Sequence, residues 1–332
     1  MDTALESIKL IPKQVQQTWD EMMALKLPKE FKNQNLIAIS GMGGSIYNYY
    51  FLESVFKNEL IKPLMKINNY GLPGFVNENT LFIASSYSGT TEEVIFNLKE
   101  ALKRKAKCVA FAAGGPLLEL AKSENIPFYH FEPKFNPSGQ PRMGQGYMLF
   151  GALGFLANLG YLKSQVDLDF LASLSQESTA LQQKAQELAE KLLDNELFFV
   201  AADHLAANAH ILRNQTNETA KLYANYNLLP ELNHHLMEGL KQPSNRNRIF
   251  VFLNSQLYQQ RNQQRLELTK EVIVKNGYKI VEFVPEESSA LAQFVEVLIW
   301  GGYLTYELGV KYHEDPNLIP WVDYFKNKLG KF

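Results

Sequence analysis

"TLFIASSYSGTTEEVIFNLKEALKR", residues 80–104, decides the fold. It opens as an apolar run and passes through Ser85, Ser86, Ser88, Gly89, Thr90 and Thr91. It then turns periodic, with Val94, Leu98 and Leu102 at helical spacing behind Glu92 and Glu93. A strand, a hydroxyl-lined loop and a helix follow one another without a break. "NLIAIS", "PLMKIN", "KCVAFAA" and "IPFYHFE" are further short apolar runs separated by helical patterns or turns. Strands alternating with helices mean parallel crossover units.

A second set begins after a Pro/Gly/Asn-rich loop, "EPKFNPSGQPRMGQG", and an apolar helix at 143–162. It comprises a helix near 168–193, the strand "LFFVAA" (197–202), a helix from about 204 to 224, "RIFVFL" (248–253), the helical "QRLELTKEVIVKNG", "KIVEFVP" (279–285) and an apolar helix at 289–311. The chain therefore reads as α/β, with two tandem domains, each a mainly parallel sheet flanked by helices. The boundary falls in "KSQVDLD", giving domains 1–165 and 166–332, and a length of 332 residues is a prior for two domains.

The N-terminal "MDTALESIKLIPKQVQQTWDEMMALKL" reads as one amphipathic helix. Asp2 and Glu6 argue against a signal peptide, so the expected location is cytoplasmic. The uncharged stretch 143–162 has the length of a membrane span, but Gln145, Asn158 and its glycines favour a buried interior helix. A formal net charge of −2 supplies no basic field, which excludes nucleic acid as an expected partner. The single cysteine, Cys108, rules out an intrachain disulfide framework and a multi-cysteine metal site, and reads as a buried, inert thiol.

Two stretches follow strands and precede helices, the position where an open parallel sheet binds anions. In "GMGGS" (41–45) the glycines allow close backbone approach and Ser45 adds a hydroxyl; in "SYSGTT" (86–91) Ser86, Ser88 and Thr91 offer donors. The dinucleotide template G-x-G-x-x-G fails, because Ile46 and Tyr47 follow Ser45 where a third glycine should fall. The lysine of a nucleotide P-loop is also missing. What remains suits a single phosphate ester held by hydroxyls.

Ser86, Ser88, Gly89 and Thr91 match the S-x-S-G-x-T phosphate loop of sugar isomerase (SIS) domains. The tandem layout, with "GMGGS", "SYSGTTEE" and the "PR" of 141–142, resembles the bifunctional phosphoglucose/phosphomannose isomerase family over nearly the whole chain. The resemblance implies an aldose-ketose isomerase acting on glucose 6-phosphate, and on mannose 6-phosphate, through an enediolate. Gly44, Ser45, Ser86, Ser88 and Thr91 would then hold the substrate phosphate, and Arg142 would stabilise a developing oxyanion. "NQTNETAK" (214–221) makes Glu218 the base that moves the proton between C1 and C2; its alternative is a surface glutamate pairing with Lys221 along a helix. "PELNHHLMEG" (230–239) makes His234 the ring-opening residue, contributed from the neighbouring subunit of a homodimer. His235 and Leu236 stand where the family has Asn and Glu, so His235 is the alternative. "EDPNLIPWVDYFKNKL" (314–329) places the family's C-terminal lysine at Lys326, with Asn317 replacing a threonine. No cofactor and no metal are implied, since adjacent histidines point apart. A non-catalytic sugar-phosphate sensor, or an SIS isomerase for another sugar phosphate, shares the phosphate loop; the sensor would not need Glu218.

Overall fold

The structure, a computed structural model, describes residues 2–243 and 247–330. The chain divides into two compact units, Met1–Leu168 and Asp169–Lys331. In the first, the elements run α1 (Thr3–Lys9), α2 (Ile11–Ala24), β1 (Leu36–Ser40), α3 (Tyr47–Phe56), β2 (Leu64–Ile67), β3 (Thr80–Ser85), α4 (Glu92–Lys103), β4 (Lys107–Ala112), α5 (Gly115–Ser123), β5 (Phe128–His130) and α6 (Gln145–Leu159). The five strands pair in the order β2-β1-β3-β4-β5, all parallel. Every residue of β3 is buried, as a strand covered on both faces requires.

Alternation sends Ala38, Phe82, Ala84, Cys108 and Ala110 to one face, against Val94 and Leu98 of α4 and Leu117 of α5. On the other face Phe111 of β4 meets Phe155 of α6 edge-on, and Phe150 of α6 packs on Phe51 of α3. Each such fully buried side chain contributes about 1.5–3 kcal/mol relative to exposure. Cys108 is buried, and burial pushes its thiol up to about 12.

The second unit contains α7 (Leu171–Leu192), β6 (Glu196–Ala201), α8 (Ala206–Gln215), β7 (Ala224–Leu228), α9 (Leu236–Gly239), β8 (Arg248–Leu253), α10 (Gln260–Lys275), β9 (Lys279–Phe283), α11 (Ala290–Lys311) and α12 (Pro320–Leu329). Its four strands are also all parallel, in the order β7-β6-β8-β9. The architecture is thus α/β with two parallel sheets flanked by helices. Both orders place the switch point between a unit's first and third strands, the crevice where such sheets take ligands.

Two sequence expectations need correction. The N-terminal segment is two helices, because Pro12, without an N–H, cannot continue α1 and instead occupies the first turn of α2. The helix expected from about 204 to 224 ends at Gln215 and gives way to a π-turn, Thr216–Ala220, and then to strand β7. As an edge strand, β7 is mostly half-exposed, so it lacks the apolar run that marks an interior strand. The stretch 143–162 forms α6, whose residues are almost all buried, and no helix among the described residues is long and apolar enough to cross a membrane.

Candidate functional site

The β3–α4 loop is braced before it is functional. Ser86 N–H donates to Phe111 O at 3.0 Å, extending the β3–β4 pairing, and Gly89 N–H closes a turn on Ser86 O at 3.0 Å. Gly89 has φ +69°, and a Cβ there would stand 1.8 Å from Gly114 O. Only glycine permits this crossing of the β3–α4 and β4–α5 loops. Ser86 and Thr91 hydroxyls pair at 2.7 Å, and Ser88 and Thr90 hydroxyls at 2.7 Å, which sets a row of oxygens before α4. Thr91 is the N-cap of α4, yet its side chain does not cap the helix. Its first-turn amides are therefore a place for an anion, favoured by the helix dipole. Glu92 accepts a hydrogen bond from the Tyr70 hydroxyl.

The "GMGGS" segment folds as a single 3-10 turn, Gly43–Ile46, after β1. A Cβ on Gly41 would stand 2.7 Å from Ser45 O, so the turn closes tightly. Ser45 Oγ accepts the Tyr87 N–H at 2.9 Å, while Ser45 O accepts the Ser85 hydroxyl at 2.8 Å. Asn48 in α3 donates to Ser85 Oγ at 2.9 Å. Ser85, fully buried at the end of β3, thus stitches the two loops across the switch point and leaves the Ser45 hydroxyl proton for a further acceptor.

Arg142 lies in the 3-10 turn Pro141–Met143, which packs beside the Gly43–Ile46 turn. Its side chain is only 4% exposed, and Nη1 donates to Gln140 Oε1 at 3.0 Å. Asn136, in the same loop, donates to the Tyr87 hydroxyl at 2.7 Å and to Gln140 O at 3.0 Å. A Cβ on Gly144 would stand 2.5 Å from the Tyr87 ring. Burial raises the Tyr87 phenol above its ordinary value. The first unit therefore gathers Gly44, Ser45, Ser86, Ser88 and Thr91 at the ends of β1 and β3 and fastens the Arg142 loop to them through Tyr87.

In the second unit, Glu218 is half-buried at the centre of the π-turn that ends α8. Such helix irregularities are frequent at functional sites. Asn217 fixes one side, accepting Ala224 N–H at 3.0 Å and donating to Ala224 O at 3.2 Å. Lys221 leaves the turn with φ +54°, and its ammonium donates to Thr219 O and Asp315 O. Lys221 thereby ties the Glu218 turn to the residues leading into α12.

His234 ends the 3-10 turn Glu231–His234 after β7 and is exposed, as is His235. The turn is clamped to α10, with Asn233 donating to Thr269 Oγ1 at 2.8 Å and accepting from Arg265 at 3.2 Å. Lys326 is exposed on α12, a helix with no buried residue, among the exposed Trp321, Tyr324 and Phe325. His234 and Lys326 lie on separate elements. Among the described residues no group of three or more His, Cys, Asp or Glu could hold a metal ion.

At the switch point of the second unit the helix start is capped by the unit's own side chains. Gln259 caps α10, its Oε1 accepting Arg261 N–H at 2.6 Å and Asn262 N–H at 3.2 Å. Asp203 Oδ2 accepts Gln259 N–H at 2.8 Å, and Ser255 donates to Gln293 Oε1 at 2.6 Å. Where the α4 start is open, the α10 start is satisfied internally, so the two units differ in what they offer an anion.

Missed in the sequence were the roles of Asn48, Ser85, Tyr87 and Asn136, which hold the predicted residues in place. Ser85 had a signal, a hydroxyl at the last buried position of a strand; the others are paired by tertiary structure, and Lys221, read as a partner of Glu218, bonds Thr219 O and Asp315 O instead.

The chain thus carries two parallel doubly wound units one after the other, the first with a hydroxyl-lined, uncapped helix start at its switch point. Residues 181–329 match the model of the bacterial phospho-glucose isomerase C-terminal SIS domain. The chain is 30% identical over 321 residues to the bifunctional phosphoglucose/phosphomannose isomerase of Thermoplasma volcanium, covering 94% of this chain and 99% of the relative. It thus belongs to the bifunctional phosphoglucose/phosphomannose isomerase family. The enzyme of that name from Caldicellulosiruptor bescii is 27% identical over 339 residues, 98% of each chain. Among solved structures, the C-terminal domain of glucosamine-fructose-6-phosphate aminotransferase from Francisella tularensis shares the fold, with a TM-score of 0.70 at 15% identity over 95% of this chain and 97% of that one.

Proposed function

We propose that the protein interconverts glucose 6-phosphate, and also mannose 6-phosphate, with fructose 6-phosphate. The observation that carries this reading is the uncapped start of α4 beneath the paired hydroxyls of Ser86 and Thr91, in a chain of this family. The substrate phosphate accepts from the first-turn amides and from Ser45, Ser86, Ser88 and Thr91, and Gly44 lets the main chain approach; a helix start favours an anion by about 0.3–1 kcal/mol at an exposed site, more when enclosed. His234, shared across a homodimer, and Lys326 assist opening of the sugar ring. Glu218 then removes the C2 proton of the open aldose as the C1 carbonyl oxygen gains charge; the C2 hydroxyl proton passes to the C1 oxygen, and Glu218 returns its proton to C1 as the C2 carbonyl forms. Arg142 stabilises the enediolate oxygens between these steps. C2 is planar in the enediolate, so the two aldoses, epimers at that carbon, converge on one intermediate.

The test is a coupled assay for fructose 6-phosphate formed from each aldose, with EDTA in the isomerase step and no nucleotide added to it. Turnover of both supports the bifunctional reading, and turnover of glucose 6-phosphate alone narrows the substrate range. Phosphosugar binding without turnover would move the protein to a sensor or to another sugar phosphate.

A further inference from the structure

The N-terminal helices grip the Arg142 loop on both sides of the arginine through the side chain of Gln14. Gln14 of α2 is fully buried. Its Nε2 lies 2.9 Å from Met143 O, 2.9 Å from Phe135 O and 3.2 Å from Ser7 O, so two amide protons serve three carbonyls. Its Oε1 accepts the Gly146 N–H at 3.2 Å. A Cβ on Gly146 would stand 2.6 Å from Gln14 Cβ, so only glycine permits that approach. Ser7 of α1 adds a second anchor, its Oγ accepting Ser138 N–H at 3.1 Å. Met143 and Gly146 lie on the C-terminal side of Arg142 and Phe135 on the other, so Gln14 spans the turn.

We propose that Gln14 is a positioning residue for Arg142, holding the turn so that the guanidinium meets the oxyanion side of the substrate. This rests on the isomerase reading above. The Arg142–Gln140 bond lies within the loop and moves with it, whereas the Gln14 contacts reach the loop from a separate, packed helix. Without the Gln14 amide, the buried Met143 carbonyl and the half-buried Phe135 carbonyl, on either side of Arg142, lose a donor and the turn relaxes. Displacement of a catalytic group by about 1 Å can cost about a hundredfold in rate.

The experiment compares wild type, Q14M, R142A and the double variant. Three quantities are read: turnover, the affinity for inorganic phosphate, and the affinity for a five-carbon aldonic acid phosphate, whose planar carboxylate stands in for the enediolate oxygens. In Q14M we expect phosphate affinity within about twofold of wild type, aldonate phosphate affinity about tenfold weaker, and kcat down about 10- to 100-fold with KM little changed. In the R142A background, Q14M should add less than about threefold to either loss, since two residues acting through one group do not add. Equal weakening of both ligands, an additive loss in the R142A background, or unchanged behaviour of Q14M each overturns the proposal. If Q14M lacks a cooperative thermal transition, Q14N, which keeps the amide but shortens its reach, is read by the same criteria. If wild type turns over neither aldose, the isomerase reading fails, and the two binding ratios still decide the role of Gln14.

Discussion

Asn136 donates to the hydroxyl of Tyr87 at 2.7 Å, joining the loop that bears Arg142 to the loop that bears Ser86 and Ser88. The donor is buried and the phenol is raised above its ordinary value by burial, so the Tyr87 hydroxyl stays neutral throughout the physiological range. Removing it leaves Asn136 with Gln140 O and Ser138 and deletes this hydrogen bond between the two loops. Tyr87→Phe should lower unfolding free energy by about 1 kcal/mol and lower kcat, while binding inorganic phosphate nearly as well as wild type. Urea unfolding and phosphate inhibition check the two halves; an unchanged kcat would show that the loops need no such tie.

The glycine in the phosphate loop makes a sharper case. Gly89→Ala introduces a carbon 1.8 Å from Gly114 O at a residue with φ +69°. Both loops must shift, so the variant should lose several-fold or more in phosphate affinity and about 2 kcal/mol or more in stability. Phosphate affinity equal to wild type would mean that the crossing of these loops is not what shapes the anion site.

Legibility follows from where each signal resides. Ser86, Ser88 and Thr91 could be read because loop, strand and helix are contiguous in sequence, and parallel order follows from strand-helix alternation. Asn48, Asn136 and Gln14 could not be read, since a buried amide in a helix or loop has no local signature and its partners arrive from residues far away in the chain. Strand β7 was hidden for a different reason, its half-exposed edge position, and that hid the abrupt end of the helix carrying the turn of Glu218. The spacing of Glu218 and Lys221 suggested a helical pair, but Lys221 has already left the helix with φ +54°.

The division of labour between binding and chemistry is testable in separate residues. Glu218→Gln keeps the size of the side chain but cannot take up a proton, so turnover should fall by about 100-fold or more while phosphate inhibition stays nearly unchanged. Ser86→Ala combined with Thr91→Ala should instead weaken phosphate binding. Full activity in Glu218→Gln would remove Glu218 as the base.

Lys221 offers a control for backbone strain. Lys221→Ala loses the links to Thr219 O and Asp315 O but keeps a side chain at positive φ; Lys221→Gly loses the links and relieves the strain. Both should reduce kcat if the tie to Asp315 matters, and the glycine variant should be the more stable by about 1 kcal/mol. A glycine variant with full kcat would assign Lys221 to backbone geometry alone.

His204 sets a pH dependence of stability. Its Nε2 lies 2.9 Å from Gln293 Oε1, an oxygen that also accepts from Ser255, while Gln293 Nε2 donates to Glu287 O at 2.8 Å. That orientation requires His204 Nε2 to be the donor, and burial, the dominant cause, lowers its pKa below the ordinary histidine value. Below about pH 6.5 the unfolded chain takes up a proton that the folded chain refuses, so the unfolded state binds more protons and stability rises with pH in that window. The contribution is fully present above pH 6.5 and is lost as pH falls through the depressed folded-state value. One such group supplies at most about 1.4 kcal/mol per pH unit. In urea unfolding at pH 7.5 and 5.5, His204→Gln should therefore show a smaller drop between the two than wild type. An identical drop would mean that other groups carry the acid sensitivity.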